Sequence, residues 1–147
     1  MVLAKGLGGG FPIGAILAKE SIASAFSPGD HGSTFGGNPL AATAALACVT
    51  IIQDQQFLES VKKKSELLVA ALLGLKAKYP AIKAIRGLGL MLGIEFDIPV
   101  KPIVQRCAEQ GLLLVGAGEN VIRFLPPLTV SDDEIIEAIA LLEIVLA

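Results

Sequence analysis

The sequence predicts an α/β chain in two parts, the edge of a larger domain over residues 1–54 and a small α+β domain over 55–147. Three observations carry that reading. The first 38 residues are rich in glycine and weakly periodic, two helical patterns follow Asn38, and short apolar runs set in beyond Pro80. The whole chain is 147 residues, about one domain's worth, which excludes a multidomain machine.

In the opening segment, glycines cluster at Gly6, Gly8, Gly9, Gly10 and Gly14 and again at Gly29, Gly32, Gly36 and Gly37, and such a stretch builds no core alone. Between the clusters, Ile13–Leu17 reads as a short strand and 20–26 as a short helix. Asn38 followed by Pro39 is a helix start, because the amide side chain caps free N–H groups and proline at the first position gives up a donor that had no partner. The helix is expected from Pro39 to Ile52. Leu58, Val61, Ser65, Leu68, Leu72 and Leu75 then recur at steps of three and four, with Lys62, Lys63 and Glu66 off the stripe, so a second, amphipathic helix follows. Pro80 ends it.

Short apolar runs at Leu90–Phe96, Leu112–Val115 and Val121–Leu125 read as strands, the last two joined as a hairpin through 116–119. A helix is expected over 101–110, closed by Gly111. Ser131 with Glu134 forms a capping box for a final helix through Leu146.

Lys and Arg number 12 against 14 Asp and Glu, a formal charge of −2, which supplies no basic field for nucleic acid or an anionic membrane. Hydrophobic residues make up 53% and charged residues only 18%, below the roughly 25% of an average domain. A membrane span does not explain the excess. The longest uncharged stretch, His31–Gln53, is broken by Gly36, Gly37 and Pro39, and the 14 apolar-rich residues left from Pro39 to Ile52 are short of the about 20 a span needs. Met1–Lys5 lacks the basic start and apolar core of a secretory signal. Cys48 and Cys107 have no metal-type spacing, so free thiols in a reducing cytoplasm are expected. The apolar excess is expected to be buried against another subunit or a further part of the protein.

Four places carry candidate chemistry. Lys5 precedes a glycine run that is not spaced as a phosphate-binding loop and has no strand expected before it; such a lysine is by itself most often a solvated turn residue. Gly87-Leu88-Gly89 and Gly93 make a poor dinucleotide fingerprint and read as a turn into a strand. In His31–Pro39, the hydroxyls of Ser33 and Thr34 stand beside a helix N-terminus, which suits an anion, although a plain capped turn has the same pattern. His31 reads as a local hydrogen-bonding residue, with no acidic partner beyond Asp30. Arg123 points away from Ile122 and Phe124 if 121–125 is a strand, and two counter-anions fit it equally, a structural carboxylate such as Glu95 or a ligand carboxylate. Arg86 reads as structural.

Taken together, Ala4–Gly14, His31–Leu40 and Ile122–Leu128 resemble the class III pyridoxal-phosphate aminotransferases in order and spacing over essentially the whole chain, and Pro28-Gly29-Asp30 is most similar to the acetylornithine branch. The resemblance implies the C-terminal part of a fold-type-I transferase, with residues 1–54 the end of the large cofactor-binding domain and its interdomain helix. It implies pyridoxal 5'-phosphate as cofactor, bound covalently by Lys5, which also moves the substrate proton. It implies that Ser33 and Thr34 bind cofactor, Thr34 holding the phosphate of the neighbouring subunit in a homodimer, and that Arg123 binds the substrate α-carboxylate. The expected reaction moves an amino group from N-acetylornithine to 2-oxoglutarate in arginine biosynthesis, in the cytoplasm. Ornithine- or 4-aminobutyrate-type activity and a non-catalytic dimerisation remnant are the alternatives. The family's glycine loop, ring-stacking aromatic and pyridine-pairing aspartate have no counterparts here, so the chain alone is expected to have little or no transaminase activity.

Overall fold

The computed structural model describes all 147 residues, Met1–Ala147, which divide into two compact units, Met1–Leu58 and Glu59–Ala147. The division falls at Leu58, inside a helix, rather than at the expected 54/55 break.

In the first unit, β1 (Val2–Leu3) pairs antiparallel with β2 (Ala15–Ile16), and a 3-10 turn over Lys5–Gly8 lies between them. A strand therefore does precede the lysine, contrary to expectation; two residues at the chain start are too short to show a period. The short helix α1 spans Glu20–Ala23, less than the expected 20–26, and residues 24–25 continue it only as a turn. Helix α2 is Pro39–Ile52, as the sequence indicates, with the Asn38 side-chain oxygen accepting from the Ala41 N–H at 3.0 Å. Ala41 is the unit's single buried apolar side chain, while Ile16, Leu17, Ile22, Phe26, Leu46 and Ile51 stay exposed.

Helix α3 (Gln55–Lys78) starts ahead of its apolar stripe because the Asp54 carboxylate accepts the Phe57 N–H at 2.8 Å. In the second unit its Leu68, Leu72 and Leu75 enter a core that includes Leu92, Ile94 and Phe96 of β4 (Met91–Phe96) and Ile122 and Phe124 of β6 (Val121–Phe124). Fully burying one such side chain contributes roughly 1.5–3 kcal/mol. The sheet is antiparallel in the order β3-β4-β6-β5, with β3 at Ile82–Leu88 and β5 at Val115–Gly116. A β5–β6 hairpin forms where one is expected, but β5 is Val115–Gly116 rather than the expected Leu112–Val115: residues 112–114 are not strand, and Gly116 pairs with Ile122 instead of lying in the turn. Strand β3 is an addition to the expected set; its register shifts between Ile82 and Ala84, leaving Lys83 as the extra residue.

Helix α4 (Lys101–Glu109) ends as Gly111 N–H donates to Ala108 O at 3.0 Å and Leu112 N–H to Cys107 O at 2.8 Å, a paired bonding pattern that satisfies the last carbonyls. Helix α5 (Asp132–Leu146) opens on the expected capping box of Ser131 and Glu134. No helix is long and apolar enough to cross a membrane.

Candidate active site

The lysine-bearing segment is built by its glycines. Lys5 begins the 3-10 turn with φ 57°, the one non-glycine residue of the chain in the left-handed region. That conformation costs an L-residue about 1–2 kcal/mol. Its side chain is exposed and has no hydrogen bond or ion pair. The turn closes where Gly9, at φ 58°, donates its N–H to Gly6 O at 3.1 Å. A Cβ on Gly9 would stand 2.8 Å from Cys48 Sγ, so the glycine lets the loop lie directly on α2.

Ala4 and Gly6, the neighbours of Lys5, share an apolar hollow with Val49, Ile52 and Gln53, at the C-terminal turn of α2. Ser33 lines a different cavity of about 350 Å³ together with Gly14, Phe35, Gly37, Asn38 and Ala41, at the N-terminal end of the same helix. Along α2, Ala41 and Val49 are eight residues apart, about 12 Å at 1.5 Å per residue. Thr34 is exposed beside Ser33 and does not line the cavity. The structure thus brings Ser33 and Thr34 to the start of α2 and the Lys5 loop to its end. His31 does not make the expected local hydrogen bond; its ring lies 6.0 Å from that of Phe26, and the Asp30 carboxylate instead accepts the Ser27 N–H at 2.6 Å.

In the second unit, Ile122 and Phe124 of β6 are buried and Arg123 between them is exposed on the opposite face. Glu95, one of the counter-anions open to Arg123, is paired with Arg86 instead, and Arg123 makes no ion pair within this chain. Arg86 is structural in the sense expected. The placement of Glu95 was missed in the sequence, yet a signal for it exists. A two-residue turn at Gly89-Leu90 sets Leu88 opposite Met91, and counting back puts Arg86 opposite Gly93 and Ala84 opposite Glu95. Neither cysteine forms a disulfide, and burial pushes the Cys107 thiol up, with Arg106 opposing weakly.

The aminotransferase class-III family profile matches residues 1–146. The acetylornithine aminotransferase of Clostridium acetobutylicum is 53% identical over 142 residues, which is 96% of this chain and 37% of that protein. Among solved structures, an acetylornithine aminotransferase from Elizabethkingia anophelis superimposes with a TM-score of 0.87 at 32% identity, over 99% of this chain and 39% of that one. An ornithine aminotransferase from Toxoplasma gondii, described with partial occupancy of PLP at its active site, gives 0.86 at 33% identity, over 99% and 35%. The chain spans a little over a third of the length of the curated relatives it matches. A match over nearly every residue, at about half identity and with the same fold, makes this chain a member of the class III aminotransferases.

Proposed function

We propose that this chain is the C-terminal portion of a pyridoxal-phosphate-dependent aminotransferase that moves the amino group of N-acetylornithine to 2-oxoglutarate, in arginine biosynthesis. The observation that carries the reading is Lys5, a residue held in the left-handed region with an amine no other side chain engages. A strained backbone kept at a solvent-facing, unpaired nucleophile is better accounted for by chemistry than by folding. The donor set fits the cofactor: a free primary amine suits its aldehyde, and the Ser33 and Thr34 hydroxyls beside the start of α2 suit its phosphate.

When bound, pyridoxal phosphate supplies an electron sink for the carbon that loses its proton. Lys5 Nζ holds the cofactor and then, released, takes that proton and returns it, as general base and acid. Arg123 grips the α-carboxylate of the amino donor and of 2-oxoglutarate. The donor leaves as its oxo compound and 2-oxoglutarate leaves as glutamate. Thr34 serves the cofactor phosphate of a partner subunit, which makes the working unit a homodimer; the separation of Ser33 and Thr34 from the Lys5 loop along α2 supports that reading. The free thiols Cys48 and Cys107 support a cytoplasmic setting.

The test is an assay of the full polypeptide with 2-oxoglutarate and N-acetylornithine, ornithine or 4-aminobutyrate as donors, with and without Lys5→Ala. Preference for N-acetylornithine, lost in the variant, is expected. Preference for another donor moves the enzyme to a sister branch, and undiminished turnover by the variant ends the reading. Borohydride reduction after incubation with pyridoxal phosphate, followed by peptide mass mapping, separates a cofactor site at Lys5 from a non-catalytic remnant.

A further inference from the structure

We infer that Asn38 is a positioning residue: its side-chain amide holds the turn that carries Thr34 against the start of α2, and so keeps the Thr34 hydroxyl in place for a cofactor phosphate. The inference rests on the proposed reading in which Thr34 holds that phosphate for a partner subunit.

The turn needs an anchor. Residues 32–37 include three glycines, Gly32, Gly36 and Gly37, the last at φ 69°. Such a backbone has many conformers to lose before an exposed hydroxyl stands in one place. Its backbone hydrogen bonds fix it poorly. Gly36 N–H reaches Ser33 O at 3.4 Å and Asn38 N–H reaches Phe35 O at 3.3 Å, both beyond the usual limit of about 3.2 Å. The short bond of the turn comes from a side chain, as Asn38 Nδ2 donates to Phe35 O at 2.9 Å. At the other end of the same amide, Oδ1 accepts the Ala41 N–H at 3.0 Å, and Ala41 is buried.

One planar group therefore ties the carbonyl just past Thr34 to the first turn of a helix. The tie needs a donor and an acceptor on separate atoms, which an amide supplies. Serine and aspartate cap a helix about as well as asparagine does. An ionised aspartate donates nothing, however, and serine has one short hydroxyl in place of two separate atoms. Capping α2 does not call for an amide; holding Phe35 O as well does.

Cofactor affinity separates positioning from capping. In the full polypeptide, stripped of cofactor and titrated with pyridoxal phosphate by absorbance, Asn38→Ser is expected to raise Kd about two- to tenfold, the worth of one hydrogen bond. Its urea midpoint is expected to stay near that of the parent, because the cap survives. Binding of pyridoxal, which has no phosphate, is expected to be unchanged. Thr34→Ala, measured alongside, separates the two claims. If it weakens pyridoxal phosphate binding while Asn38→Ser does not, the positioning role is overturned and the Thr34 reading stands. The positioning role also falls if Asn38→Ser weakens pyridoxal equally, if its effect multiplies in full with that of Thr34→Ala, or if it lowers the urea midpoint as far as Asn38→Ala. If Thr34→Ala leaves Kd unchanged, the Thr34 reading falls and the positioning role with it.

Discussion

Gly9 and Cys48 meet where the lysine loop crosses α2, with room for no more than a hydrogen on Gly9: a Cβ there would lie 2.8 Å from the sulfur. The contact ties the placement of Lys5 to a helix residue 43 positions further along the chain. Gly9→Ala combines that overlap with a left-handed backbone and is expected to cost about 1–3 kcal/mol. Cys48→Ala removes the overlapping sulfur but not the backbone strain, so adding it to Gly9→Ala is expected to recover part of the loss. A double-mutant cycle on urea unfolding checks the coupling.

Lys5 itself sets function against stability. Glycine adopts the left-handed conformation without a Cβ penalty, whereas alanine keeps it. Lys5→Gly is therefore expected to be more stable than Lys5→Ala by about 1 kcal/mol, although both lose the amine. In the full polypeptide each is expected to lower kcat about 10²–10⁴-fold, the usual scale of a lost general acid–base group. Thermal melts and steady-state rates of the two variants read these effects separately.

Gly87 is held more tightly still, since a Cβ there would fall 2.0 Å from Met91 O while φ is 142°. No flexible side chain can yield at that point, because the obstruction is the backbone of the neighbouring strand. Gly87→Ala is expected to cost about 3 kcal/mol. Hydrogen exchange should show β3 and β4 losing protection before α5.

Acid sensitivity has a defined contributor at the start of α5. The Ser131 N–H donates to the Glu134 carboxylate at 2.7 Å, and this backbone bond, helped by the Ser131 hydroxyl, holds the Glu134 pKa below the ordinary range. A carboxyl whose pKa is lowered on folding stabilises the fold above its unfolded value, near 4.3. That stabilisation is lost as pH falls through the lower, folded value. Glu134→Gln is expected to flatten the stability–pH curve below about pH 5. Ser131→Ala should cost about 1 kcal/mol near neutrality. Urea midpoints between pH 3 and 7 test both.

Legibility in the sequence followed how local each determinant is. Helix α2 could be read from Asn38-Pro39, and α5 from Ser131 and Glu134, because a cap is decided within four residues. Strand β3 escaped because its core-facing residues Ile82 and Ile85 are three apart instead of two. The extra residue at Lys83 breaks the alternation that marks a strand. Of the site residues, the outward direction of Arg123 followed from alternation along β6. That Glu95 is taken by Arg86 follows from the β3–β4 register, and it escaped because β3 itself was not legible. The left-handed backbone of Lys5 has no sequence signal, since lysine carries no preference for it.

The irregularity at Lys83 also protects the outer side of β3. That strand has one neighbour, β4, so its other row of amides and carbonyls is available to any extended peptide that meets it. The misfit residue interrupts the row, and Lys83 and Arg86 add cations to a strand that would have to lie beside its own copy. Both features disfavour edge-to-edge stacking and amyloid-like growth. In a chain that is 53% hydrophobic, safety against self-association at this border comes from one residue too many.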